Sequence, residues 1–217
     1  MELYGYFRSS CSYRVRIALN FKGIAYKQVP VNLLRSEQNS RSQLKINPQG
    51  LVPALQHRGK ILTQSLAIIE YLEDVFPSPP LLPQEPLQRA EVRALSHIIA
   101  CDTQPVQNLR VLKYVVKELH KSHEDRQKWG RHFIELGLSA LEARVRETAG
   151  TYAYGGRFSL IDVCLVPQIY NAIRFNVNLD DYPVIRKVYE NSLRLAAVDL
   201  ARPEVQDDCP EELRDRC

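Results

Sequence analysis

Four small polar residues, Ser9, Ser10, Cys11 and Ser12, stand between an apolar strand pattern and a helical one in the stretch FRSSCSYRVRIAL. None of them builds a core, but all four carry chemistry. A helix N-terminus leaves its first N–H groups unpaired and bears partial positive charge. A thiolate placed there is stabilised, and a cysteine there ionises more readily. Serine hydroxyls beside it can donate to the same sulfur. The four residues can therefore form a cup for a thiolate, belonging either to Cys11 or to a bound ligand. The alternative is structural: Ser12 caps the helix and the other serines fill a loop.

Two more stretches bear on that choice. Val52-Pro53 precedes a short strand. A cis peptide there would turn the Val52 N–H and C=O outward, towards an extended peptide; the commoner trans form would make an ordinary turn. Gln64-Ser65 opens another helix, where Ser65 is a candidate cap and its N–H can hold a carboxylate. A thiolate cup, a peptide-pairing edge and a carboxylate cradle together suit a small acidic thiol peptide.

The elements that must position these residues follow from periodicity. Residues 3–7 read as a short aromatic-rich strand. From Tyr13 the pattern turns helical, with Val15, Ala18 and Leu19 on one face, and Gly23 ends it. Residues 26–31 read as a second strand, and residues 36–45 are polar and poorly periodic. Residues 54–57 and 60–63 flank Arg58-Gly59, a hairpin signal. The helix opened by Gln64-Ser65 carries Ile68, Ile69, Leu72, Val75 and Phe76 as a broad apolar stripe. Strand, helix, strand, irregular helix, hairpin and helix predict one right-handed parallel crossover beside an antiparallel pair. That order is thioredoxin-like.

Pro77, Pro79, Pro80, Pro83 and Pro86 cannot continue a helix and predict an extended linker. Beyond them the period is helical near residues 87–120, 124–148, 159–175 and 183–196, with no strand signal. The expected architecture is α/β plus all-α. A thioredoxin-like domain (1–78) is followed by a linker (79–87), an all-helical domain (88–202) and a polar, acidic tail (203–217) expected to fray.

Composition excludes several classes. A net charge of +4 is too mild and scattered for nucleic acid. No apolar run approaches the ~18 residues of a membrane span, and MELYGYF lacks the regions of a signal peptide. A cytoplasmic location is expected. The five cysteines, Cys11, Cys101, Cys164, Cys209 and Cys217, are odd in number and none is spaced as C-x-x-C. Neither a disulfide framework nor a zinc site is expected. His120 and His123 read as a solvated helix end.

SSCSYRVRIAL, NPQGLVPAL, QSLAIIEYLE and FSLIDVCLVPQ together resemble the glutathione transferase superfamily, and the first motif resembles its zeta class. The resemblance runs from the first strand to about Pro183. It implies glutathione as cofactor, held by Ser9, Ser10, Cys11, Ser12, Tyr13, Arg14, Gln38, Val52, Gln64 and Ser65. In the helical domain TQPVQNLRVLK matches a segment that reaches the family's cleft, which adds Gln104, Asn108, Leu109 and Arg110. Arg110 stands where the family places a small residue. Residues 171–175 resemble another such segment, and Arg174 is a candidate cleft cation or a surface salt-bridge partner. Ser159 and Asp162 match the helix-start box of the helical domain, a structural role. A homodimer is also implied.

The implied activity is glutathione-dependent cis–trans isomerisation of maleylacetoacetate, a small anionic unsaturated diketo acid, in tyrosine and phenylalanine catabolism. A thiolate adds to the conjugated alkene, the resulting single bond of the enolate rotates, and the thiolate is expelled. Ser9, Ser10 and Cys11 are the expected catalytic residues, with Ser10 the donor that holds the thiolate. Arg8, Arg14 and Arg174 are expected to meet substrate charge, strongest where water is excluded. Cys11 can tune the thiolate or form a mixed disulfide with glutathione. Maleylpyruvate isomerisation, glutathione transfer and α-haloacid dehalogenation use the same site. A non-enzymatic glutathione-fold binding module is the alternative from another class.

Overall fold

The side chains of β1 (Glu2–Gly5) alternate between the two faces of a sheet, and Leu3 on the inner face is fully buried. The computed structural model describes residues 1–214, so Cys217 lies outside the described residues. β1 pairs in parallel with β2 (Lys27–Pro30) on one side and antiparallel with β3 (Ala54–His57) on the other. β3 continues antiparallel into β4 (Lys60–Thr63), giving the order β2-β1-β3-β4. Leu3 lies opposite Leu55 across the β1–β3 pair, and both are removed from water. The hairpin turn is Arg58-Gly59, with φ of 50° and 73°, the left-handed geometry that a two-residue turn needs.

The crossover from β1 to β2 is α1 (Ser10–Phe21), which buries Val15, Ile17, Ala18 and Leu19. The polar stretch after β2 holds a 3-10 turn, Glu37–Asn39, and a short helix, α2 (Arg41–Ile46), capped by Ser40. α3 (Ser65–Val75) packs on α1 and buries Ile68, Ile69 and Leu72.

The chain divides into two compact units: residues 1–80 with the C-terminal segment from Leu195, and Leu81–Arg194. The second is helical: α4 (Pro86–His97), α5 (Leu109–Lys117), α6 (His123–Thr148), α7 (Leu160–Arg174) and α8 (Pro183–Leu193). The sequence reads residues 87–120 as one helical run, but α4 passes into a π-helical turn, Ile98–Thr103, and then a 3-10 turn, Pro105–Gln107. Pro105 has no N–H for the i→i−4 ladder, so the chain must restart. It does so at Asn108, whose side chain accepts from Arg110 N at 3.2 Å. A side chain at Gly137 on α6 would put its Cβ 1.9 Å from Thr103 Oγ1, so only glycine lets the π turn seat there. Asp162 ties the start of α7, accepting from Ser159 N, Ser159 Oγ and Ala153 N, each at 2.8 Å. Glu142 does the same for α8, accepting from Val184 N at 3.2 Å and Ile185 N at 2.9 Å.

The C-terminal segment departs from expectation. Residues 195–202, read as part of the helical domain, group with the sheet: α9 (Ala196–Asp199) packs on α1, and Asn20 Nδ2 donates to Ala197 O at 3.2 Å. Nor does the described part of the tail hang free. Asp208 accepts from Phe7 N at 2.8 Å, and Cys209 is buried against Tyr6 and Phe7. A carboxylate satisfies an N–H just past the end of β1, and an apolar thiol covers two aromatic rings. No helix among the described residues is long and apolar enough to cross a membrane.

Candidate active site

A four-residue turn, Tyr6 to Ser9, joins the end of β1 at Gly5 to the start of α1 at Ser10. Ser9 is the cap: its backbone is extended, and its Oγ accepts from Ser12 N at 3.3 Å. The sequence alternative that gave the cap to Ser12 is thereby replaced. Ser10 and Cys11 occupy the first turn, Ser10 buried and Cys11 half-buried and not in a disulfide. No acidic residue occupies that turn. The positive end of the helix therefore stays unneutralised, which favours an anion held there.

Ser10 and Arg14 are four residues apart and share one face of α1. Arg14, 2 % exposed, donates from Nη1 to Ser65 Oγ at 3.1 Å, linking the first turn of α1 to the first residue of α3. Its Nε and Nη2 are buried and have no hydrogen-bond partner among the described residues. Burying guanidinium donors without acceptors is costly unless a ligand supplies them. Gln64 precedes Ser65 with φ of 70°, a left-handed conformation that a non-glycine residue holds only under constraint. Two contacts hold it: its C=O accepts from Ile68 N at 2.9 Å, and its Nε2 donates to Gln49 Oε1 at 2.8 Å. Ser65 is thus the first helical residue rather than the expected cap, and α3 too lacks an acidic residue in its first turn.

The loop carrying Gln49 leads to Val52-Pro53, whose peptide bond is cis. Val52 lies outside the sheet ladder, which starts at Ala54, and its side chain packs on Tyr6, Phe7 and Cys209. Three segments therefore meet: α1 and α3 through Arg14 and Ser65, the proline loop and α3 through Gln49 and Gln64, and the proline loop and the cluster of Tyr6, Phe7 and Cys209 through Val52. Two acid-free helix starts, orphaned arginine donors and a strand-like edge fit a peptide bearing carboxylates and a thiol, as glutathione does. Gln38 lies on the 3-10 turn, with its carbonyl 3.6 Å from where a Cβ on Gly50 would be. Its Oε1 is buried without a partner.

Not every expected residue faces this junction. Ser12 is fully buried and its Oγ accepts from Tyr6 N at 3.4 Å, which closes the turn. Tyr13 is buried with the Arg16 guanidinium 5.3 Å over its ring. Arg8 lies 5.6 Å over the Phe7 ring. Sequence reading missed Gln49 and Arg16. Gln49 gave no signal, because its partner is fixed only by the loop's fold. Arg16 was visible as a cation within an apolar helix face.

In the second unit Gln104 is buried at the end of the π turn, its N–H bonded to Ile99 O at 2.8 Å. Asn108 is the cap already described, and Arg110 is exposed. Leu109 lines a cavity of about 230 Å³ with Leu112, Val116 and the cations Lys113, Lys117 and Arg126. Arg174 is exposed and donates to Asn171 Oδ1 at 3.0 Å. Asn171 Nδ2 donates to Gln107 Oε1 at 3.2 Å, and Gln107 Nε2 to Gln168 Oε1 at 3.1 Å. This buried amide chain was missed as well; polar residues on the otherwise apolar α7 were the available signal. Asp162 is also buried here, and burial pushes its carboxyl up to about 6 despite three donors.

A β2-β1-β3-β4 sheet with a serine-capped, acid-free helix start, a cis-proline loop and a Gln-Ser helix start held at positive φ defines a glutathione transferase. Residues 1–74 match the family "Glutathione S-transferase, N-terminal domain". The maleylacetoacetate isomerase of Mus musculus is 47% identical over 214 residues, covering 98% of this chain and 96% of the mouse one. Among solved structures, a bacterial zeta-class maleyl pyruvate isomerase superposes with a TM-score of 0.94 at 40% identity, covering 97% of this chain and 100% of that one. The maleylacetoacetate isomerase of Anaeromyxobacter dehalogenans, solved with glutathione in its active site, gives a TM-score of 0.87 at 42% identity, covering 96% and 97%. This chain belongs to the zeta class of glutathione transferases, the family of the maleylacetoacetate isomerases.

Proposed function

We propose that the chain is a glutathione-dependent cis–trans isomerase that converts maleylacetoacetate to fumarylacetoacetate in aromatic amino-acid catabolism. The observation that carries the reading is the acid-free N-terminus of α1, capped by Ser9 and bearing Ser10 and Cys11 in its first turn. Glutathione, when bound, supplies the thiolate that adds to the conjugated double bond, permits its rotation and departs. The protein's own tasks are to hold that sulfur as an anion, to orient the tripeptide and to meet the substrate's charge.

Ser10 has the first task, as hydroxyl donor, with the N-terminus of α1 adding fixed positive charge. A free thiol of pKa near 8.5 is mostly protonated at neutral pH, and each unit of lowering corresponds to ~1.4 kcal/mol. Orientation falls to Val52, Gln64, Ser65 and Arg14. Ser65 N–H and the two unsatisfied Arg14 donors suit a carboxylate of the tripeptide. Arg8 and Arg174 are the proposed substrate cations, with Asn108, Leu109 and Arg110 as further candidates. Cys11 beside Ser10 tunes the sulfur without replacing it. The same reading proposes a cytoplasmic homodimer, with glutathione transfer as a side activity.

Maleylpyruvate is the second reading, favoured by the high similarity to the maleyl pyruvate isomerase structure. An ultraviolet assay of both substrates, with and without glutathione on enzyme stripped of ligand, separates the two and tests the mechanism. Faster loss of maleylacetoacetate that requires glutathione supports the first reading. Turnover indifferent to glutathione removes both.

A further inference from the structure

The turn that delivers Ser9 and Ser10 is anchored from a point almost two hundred residues away. Tyr6 O accepts from Ser9 N at 3.0 Å and from Arg16 Nη1 at 3.4 Å. Phe7 O accepts from Arg16 Nη2 at 2.7 Å. The remaining Arg16 donor, Nε, goes to Ala201 O at 3.0 Å. The guanidinium therefore joins the backbone of the turn to the backbone of the C-terminal segment. Arg16 is wholly buried, and desolvation lowers it to about 10, still a cation at neutral pH.

Asp208 completes the hold from the other side. Its Oδ2 accepts from Phe7 N at 2.8 Å and its Oδ1 from Gln28 Nε2 on β2 at 2.8 Å. Next to it, Cys209 packs with Tyr6 and Phe7, and Leu33 and Val52 pack on that cluster. So one short stretch touches the turn before the thiolate cup and belongs to the cluster on which the residue before the cis-proline packs. The groups acting electrostatically on Arg16 are Tyr26, Tyr13, Asp208 and Glu204; those acting on Cys209 are Glu204, Arg214, Asp208 and Arg8.

We infer that residues 201–209 form a clasp that sets where the thiol-holding turn stands, with Asp208 a positioning residue for the glutathione sulfur. The inference rests on the glutathione reading above and adds to it a segment that the family motifs do not include. Displacing Phe7 displaces Tyr6 O and the Ser9 N–H bonded to it, and with them the cap of α1. The sulfur then loses alignment with Ser10 while the fold persists.

The test is the pH profile of kcat/KM for Asp208→Ala and Asp208→Asn. The acid limb, which reports ionisation of the thiol, is expected to move up by about one pH unit. kcat/KM at neutral pH is expected to fall roughly tenfold or more, the scale of a small misplacement. Glu73→Gln is the control: it breaks the buried pair with Lys22 (2.5 Å) in the same unit, so it lowers Tm without moving the limb. Should the Asp208 variants fail to fold, Gln28→Leu frees the other Asp208 oxygen and is read the same way. An acid limb unmoved in every folded variant overturns the clasp. Wild-type turnover without glutathione overturns the reading beneath it, a separate result.

Discussion

The two units use their polar residues in opposite ways. In the first, side chains with chemistry are attached to positions the backbone fixes: Ser9 and Ser10 at the start of α1, Ser65 at the start of α3, Gln64 held left-handed before it. Arg14 and Arg16 stand beneath them, buried and aimed at the same junctions. In the second unit the buried carboxylates Asp162 and Glu142 close helix ends, while Arg110 and Arg174 are exposed. A site whose positions come from helix starts tolerates little change in residue type. A site made of exposed long side chains can drift without harm to the fold.

Four substitutions sharpen that contrast. The largest effect belongs to Ser10→Ala, which is expected to lower kcat/KM by roughly a hundred- to a thousandfold, the scale of a lost anion donor. Tm should barely move, and steady-state kinetics beside a thermal melt reads both. Cys11→Ala should keep much more activity. A glutathione adduct on Cys11 by mass spectrometry, with activity lost wholly in that variant, would give the chemistry to Cys11 instead.

Asp162 reverses the pattern, with stability at stake and catalysis spared. Its carboxyl rises from 3.8 to about 6 in the folded chain, so the folded state holds that proton more tightly than the unfolded one. Its contribution is therefore full below about 4 and declines as pH rises through about 6, by about 3 kcal/mol on the linkage relation. Denaturant midpoints of the wild type against Asp162→Asn should differ in slope over that window. Equal slopes would place the carboxyl near its ordinary value. The smallest effect is expected of Arg174→Ala: a KM for substrate raised roughly three- to tenfold, about 1 kcal/mol, with kcat kept. A large loss in kcat would move Arg174 from substrate capture into the chemistry.

The same contrast explains what the sequence disclosed. The sheet, the Arg58-Gly59 hairpin and the serine-rich helix start were legible because each is written in neighbouring residues. The Val52-Pro53 loop was placed but its cis form was left open beside the trans one, and the Gln-Ser helix start was placed one residue late, with Ser65 as cap. The break within residues 98–108 was harder, since apolar spacing continues through it and only Pro105 and Asn108 mark it. The C-terminal attachment was illegible. Asp208 and its Phe7 partner are 201 positions apart, and an acidic, polar stretch reads as solvated until the fold brings an unpaired N–H to it. Ser12 carries a structural contact that its motif did not show: its hydroxyl accepts from Tyr6 N.

The most direct test of the whole account is the ionisation of glutathione's thiol in the binary complex. It can be followed by thiolate ultraviolet absorbance against pH in the wild type and in Ser10→Ala. The account predicts a bound pKa well below the free value near 8.5, returning towards it in the variant. A bound pKa equal to the free one, or one that ignores the loss of the Ser10 hydroxyl, would contradict it.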